Sequence, residues 1–101
     1  MRYFKVQIGF DEGNYISINE HELPLAIKAM GTGEVAVFDE GMVAGNNIIS
    51  VTPDYNRAMG YNKGYKLTGE DYRHIGKATM HEHLDLLADI KAIGSDPNLL
   101  E

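Results

Sequence analysis

Four apolar residues at alternate positions, Phe4, Val6, Ile8 and Phe10, constrain this chain more than any other feature. A period of two puts them on one side of a strand and Tyr3, Lys5, Gln7 and Gly9 on the other. The first segment must therefore bury one face and leave a mostly polar one. The turn residues Asp11-Glu12-Gly13-Asn14 follow, and Tyr15-Ile16-Ser17-Ile18 reads as a second strand, antiparallel to the first.

Beyond Ile18 the period changes. Asn19 is patterned as a helix N-cap, with Glu22 three residues on as its capping-box partner. Leu23, Ala26, Ile27 and Met30 recur at helical spacing, and Pro24 requires the helix to begin very near it. Gly31-Thr32-Gly33 ends that helix. Short strands are predicted at 34–38, 42–43 and 48–51, separated by turns at 39–41 and 45–47. Thr52-Pro53-Asp54 reads as a helix start, with Thr52 capping, and the helix stops at Gly60. Residues 61–69 read as an ordered loop, and Thr68 caps a helical segment ending at Gly76. The longest helix is expected over 78–93, where Met80, Leu84, Leu86, Leu87, Ile90 and Ile93 share half of the helical wheel.

These elements predict one α+β domain over residues 1–94. It is a small, mostly antiparallel sheet of about five short strands, with an inserted helix and a C-terminal helix packed on one face. Residues 95–101, containing Asp96-Pro97, are expected to fray. A chain of 101 residues fits one domain of this kind.

Composition narrows the chemistry. The absence of cysteine excludes disulfides and thiolate zinc sites. The opening Met1-Arg2-Tyr3-Phe4-Lys5 has no continuous apolar run of the signal-peptide kind, and no apolar stretch is long enough to span a membrane. A cytoplasmic location is expected. Net charge is −6, which disfavours non-specific nucleic-acid binding. The charge is uneven, however: residues 41–77 hold three acids and five bases, between two acidic ends.

No catalytic residue is assigned. His81-Glu82-His83 superficially resembles a metal motif, but on a helix residues 81 and 83 lie about 200° apart and do not chelate one ion together. His81 and Asp85 share a face and read as a surface pair. The zinc-protease spacing is missing, and the glycines form no phosphate loop. Ser17, Ser50 and Ser95 lie in no nucleophile elbow. The acid pairs Asp11/Glu12, Asp39/Glu40 and Glu70/Asp71 fall in turns or helix starts, where acids cap amides or stay solvated. No cofactor and no metal are expected.

The informative stretch is 53–74. Four of the six tyrosines and four of the nine bases fall there: Tyr55, Arg57, Tyr61, Lys63, Tyr65, Lys66, Tyr72 and Arg73. Tyrosine and arginine dominate protein-binding surfaces, and the same mixture also stacks bases and neutralises phosphates. A purely structural role, packing the segment on the sheet, is the competing reading. Protein recognition is the leading binding function, and a nucleotide or single-stranded nucleic acid is the alternative. His83 lies at the centre of the apolar arc and reads as a core or interface histidine with its ring nitrogens satisfied. His83, Leu84 and Leu87 together mark an expected homodimer interface.

The run Ile48-Ile49-Ser50-Val51-Thr52-Pro53-Asp54-Tyr55-Asn56-Arg57-Ala58-Met59-Gly60-Tyr61-Asn62-Lys63-Gly64-Tyr65-Lys66-Leu67 resembles small uncharacterised proteins encoded by bacteriophages and prophages. The opening Tyr3-Phe4-Lys5-Val6-Gln7-Ile8-Gly9 and the capped helix after Ile16-Ser17-Ile18 are similar too, so the likeness covers roughly residues 3–73. It brings no catalytic residues. It implies a protein acting in the cytoplasm of a bacterial host by occluding a host protein, inhibitors of bacterial defence among them.

Overall fold

The computed structural model describes residues 2–94, and the tail expected at 95–101 lies outside them. The fold is α+β. In order it has β1 (Tyr3–Ile8), β2 (Tyr15–Asn19), α1 (Leu23–Thr32), β3 (Val35–Val37), β4 (Met42–Ala44), a 3-10 turn at Gly45–Asn47, β5 (Ile48–Pro53), α2 (Tyr55–Met59), α3 (Gly69–Ile75) and α4 (Lys77–Gly94). The five expected strands are present but form two sheets. One is three-stranded and antiparallel, in the order β2-β1-β5; the other is the β3-β4 hairpin.

The alternation in β1 decides what the larger sheet buries. Phe4 and Val6 pair with Ile18 and Ile16 on β2, and Val6 faces Val51 on β5. That face packs against Leu23, Ala26 and Ile27 of α1 and Leu87 of α4 in one core. Phe4, Ile18 and Leu23 are wholly buried, each contributing about 1.5–3 kcal/mol. The opposite face carries Tyr3, Lys5, Gln7, Tyr15, Ser17, Ser50 and Thr52, in register across the three strands.

The alternation fails at its last member. Phe10 is 92 % exposed. The β1–β5 register slips between Gln7 and Ile8, and Gly9 turns the chain at φ +70° while its N–H bonds Asn47 O. With the strand over at Ile8, periodicity no longer dictates which way Phe10 points.

Two helix starts also differ from expectation. Asn19 and Glu22 do exchange hydrogen bonds: Asn19 Oδ1 accepts from the Glu22 N–H, and Glu22 Oε1 accepts from the Asn19 N–H. These close a turn ahead of α1, which begins at Leu23 with Pro24 in its first turn. Further on, β5 continues through Thr52 and Pro53, so Asp54 caps α2 in place of Thr52, accepting the Arg57 N–H. Thr68 caps α3 as expected, with Asp71 completing a full capping box.

The buried face of helix α4 is centred on His83, as expected, but is narrower than the expected arc. His83 and Leu87 are buried, with Leu86 and Ile90 packed against the core, while Leu84 is 49 % exposed. His83 and Leu87 therefore face this chain's own sheet and are not surface residues. The ground for expecting a dimer shrinks to Leu84 and Ile93. A different apolar strip lies open on the outer side of the hairpin: Val35, Val37 and Met42, opposite the buried pair Ala36 and Val43. Among the described residues no helix is long and apolar enough to cross a membrane.

Candidate binding cleft on the polar face of the sheet

Helix α2 sits at the end of β5 and straddles both sides of the sheet. Asp54 N–H bonds Tyr3 O, which fixes where the helix begins. Tyr55 and Arg57, two residues apart, point in nearly opposite directions. Tyr55 goes to the helical side, with its ring edge-on to His83 at 5.0 Å and its hydroxyl donating to Met80 O. Arg57 goes to the polar side, with its guanidinium 4.3 Å from the centre of the Tyr3 ring.

A cleft of about 360 Å³ opens where α2 meets β2, walled by Tyr15, Ser17, Asp54, Arg57, Tyr61 and Lys63, with Glu40 at its rim. Its floor is a buried carboxylate. Asp54 is 2 % exposed and accepts the Ser17 hydroxyl at 2.6 Å, besides the Arg57 amide. Arg57 Nη1 donates to the carbonyl and hydroxyl of Ser17 and lies 3.4 Å from Glu40 Oε2. Lys63 Nζ donates to Tyr15 O at 2.9 Å and stands 4.3 Å from the centre of the Tyr15 ring, while Lys5 approaches the same ring at 5.0 Å. Burial raises the Tyr15 hydroxyl above its usual pKa of 10.0, with the Asp54 and Glu40 charges adding to the effect and the Gly64 N–H opposing it.

The loop that forms the cleft's outer wall is braced from within. Asn56 is buried, and its Nδ2 donates to Tyr65 O at 2.7 Å and Asn62 O at 3.4 Å. Asp71 accepts from the Tyr61 hydroxyl at 3.1 Å, the Tyr65 hydroxyl at 2.8 Å and the Thr68 amide at 2.8 Å. The Tyr61 and Tyr65 rings lie 4.7 Å apart. Those bonds, the Thr68 amide first and Tyr65 next, lower Asp71 to about 2.

The eight binding candidates therefore do not form one surface. Arg57, Tyr61 and Lys63 line the cleft. Tyr65 braces the loop through Asp71 and keeps 44 % of its surface exposed. Tyr55 turns to the helical side, where burial and then nearby Tyr72 raise its hydroxyl. Lys66 and Arg73 are exposed. Tyr15, Ser17, Glu40 and Asp54 were not among the candidates. Tyr15 and Ser17 could have been: the alternation puts them on the polar face beside Tyr3 and Lys5. Nothing in the sequence signals that the Glu40 turn reaches this cleft. His81 and Asp85 are both exposed, and among the described residues no group of three or more His, Cys, Asp or Glu could hold a metal ion.

Charge decides what the cleft offers. Both Asp54 oxygens are occupied and buried. Glu40 is half-exposed, as is Arg57, and an ion pair of that kind is worth roughly 0–1 kcal/mol. Lys63 has no carboxylate partner among the described residues and keeps two donors unused. Apart from Glu40, whose carboxylate makes one contact at 3.4 Å, the accessible groups with capacity to spare are cationic donors.

Comparison with protein-family models, with curated proteins and with solved structures returned no match.

Proposed function

We propose that this chain is a non-catalytic protein-binding module that engages its partner through the cleft and the loop over it. On the phage-type resemblance, the partner is a host protein and the effect is occlusion. The observation that carries the reading is bracing. Three buried polar residues, Asp54, Asn56 and Asp71, hydrogen-bond within residues 54–71, and Asp54 also ties the segment to Ser17 on β2, so a stretch rich in tyrosines and bases is held ordered before any partner arrives. A surface ordered in advance loses less entropy on binding. Packing alone would not need Arg57, Lys63 and Tyr65 left as accessible as they are.

The cleft offers only two cations, Arg57 and Lys63, between aromatic walls, which suits a single side chain of a protein better than a run of phosphates. The test is affinity capture from a bacterial lysate with wild type and a Tyr61→Ala/Lys63→Ala variant of near-wild-type melting temperature. A protein retained by wild type and lost by the variant is expected. Identical protein recovery from both, or recovery of nucleic acid alone, would refute the reading.

A further inference from the structure

The exposed pair Arg57–Glu40 joins segments 17 residues apart, and its geometry has a specific origin. Glu40 lies in the two-residue loop of the β3–β4 hairpin, which Phe38 and Gly41 close through reciprocal backbone bonds. The loop is tied down on its far side, where the Asp39 N–H bonds Glu22 Oε2 at 2.8 Å. The hairpin tip is thereby held beside β2, and the Glu40 carboxylate reaches the mouth of the cleft. It meets Arg57 through a single contact at 3.4 Å, far from a bidentate guanidinium–carboxylate pair. Lys63, across the cleft, is left without a carboxylate among the described residues.

From this we infer that Glu40 is an internal stand-in for a partner's side chain. The cleft is built for a glutamate or aspartate of an acidic protein segment, which displaces Glu40 from Arg57 and takes Lys63 as well. The charge complementarity is direct. The unused donors are the remaining Arg57 N–H groups and two Lys63 protons, and the walls that flank them, Tyr15 and Tyr61, are aromatic. A carboxylate on a short stem satisfies both cations at once, which Glu40 does not. Glu40 therefore competes with the partner, and its removal strengthens binding. This inference rests on the protein-binding reading and names the partner's chemistry.

The test uses the full chain and a synthetic hexaglutamate peptide as probe, followed by amide and side-chain shifts of residues 57–63 in nitrogen-correlated spectra. Glu40→Gln should bind the peptide about two- to five-fold more tightly than wild type, the equivalent of a weak exposed ion pair. Lys63→Gln should bind it several-fold more weakly. Glu34→Gln, the same charge change at the exposed residue just before β3, controls for general charge and should leave affinity as it was. Inorganic phosphate and a short oligothymidylate serve as comparison ligands. Equal affinity of Glu40→Gln and wild type overturns the inference, as does an equal gain with Glu34→Gln. No peptide shifts in any variant, or tighter binding of oligothymidylate than of peptide at residues 57–63, overturns it too. A protein captured from lysate and insensitive to Glu40→Gln would sink this inference alone and leave the binding module standing.

Discussion

The Tyr65 hydroxyl donates to the Asp71 carboxylate across 2.8 Å, joining the loop after α2 to the first turn of α3. Asp71 is at once the acid of a capping box and the acceptor for two tyrosines. Its ionised form is what the fold recognises, and this sets a pH window for the loop.

Asp71 titrates at about 2, below its ordinary 3.8, because the Thr68 amide and the Tyr65 hydroxyl stabilise the anion. A carboxyl depressed by folding contributes stability that is present above the ordinary value and lost as pH falls through the folded one. The loop should hold at pH 5 and loosen between about 4 and 2. At the alkaline end the sign reverses. Tyr61 and Tyr65 are raised above 10.0, their hydrogen bonds to Asp71 being the first cause. Their contribution is present below 10 and is lost as pH rises through the raised values. Carbon-detected titration of the Asp71 carboxyl is the check: a midpoint near 3.8 would contradict it. Asp71→Asn should flatten the acid response.

Asn56→Ala should destabilise the protein by about 1–3 kcal/mol, the range for leaving a buried partner unsatisfied, since Tyr65 O loses its side-chain donor and Asn62 O keeps only the Tyr65 N–H. Denaturant unfolding should show a lower midpoint with an unchanged slope. Amide exchange should quicken in residues 60–66 before it does so in β1.

His83 separates size from polarity. Its Nδ1 is 2.9 Å from Thr79 O, and because a carbonyl only accepts, that nitrogen carries the proton. Nε2 is buried with no hydrogen-bond partner among the described residues. One ring nitrogen is therefore satisfied, where both were expected to be. His83→Leu should change stability by less than about 1 kcal/mol or raise it, because it removes an orphaned acceptor. His83→Ala should cost about 2–5 kcal/mol, as core truncations do, because Phe4 and Tyr55 lose the ring between them. Similar losses for both variants would mean that the ring's polarity is needed.

Gly45→Ala should cost about 3 kcal/mol or more. A Cβ there would collide with the Ala29 carbonyl and lie 2.8 Å from Glu34 O, both of them backbone atoms unable to swing aside. Thermal unfolding is the measurement. A variant with wild-type stability would mean that the 3-10 turn does not press on α1 as described.

What the sequence made legible was local. The period of two in β1 as far as Ile8, the turn after it and the cap at Thr68 are written in a few consecutive residues, and each is found as expected. The cap of α2 falls on Asp54 and not on Thr52 because strand and helix compete for Thr52 and Pro53, and pairing with β1 wins. The arc of α4 was legible with His83 at its centre, but not its width: Leu84 and Ile93, at its two edges, stay exposed. In the cleft, Arg57, Tyr61 and Lys63 were legible as a cluster of bases and tyrosines. Glu40 was not, because its place depends on Glu22 holding a hairpin tip by a bond between distant segments.

The walls of the cleft come from residues 15–17, 40 and 54–63, and no two of these stretches are neighbours in the chain. The proposed recognition is consequently a property of the finished chain topology, not of a peptide excised from it. Each contact requires a loop to close first, which places its assembly late in folding. A single backbone cut between β2 and β3 would leave every cleft residue chemically intact and still threaten the site. The converse also holds: whatever fills the cleft clasps three separated segments together, and should raise the unfolding temperature in proportion to how tightly it is held.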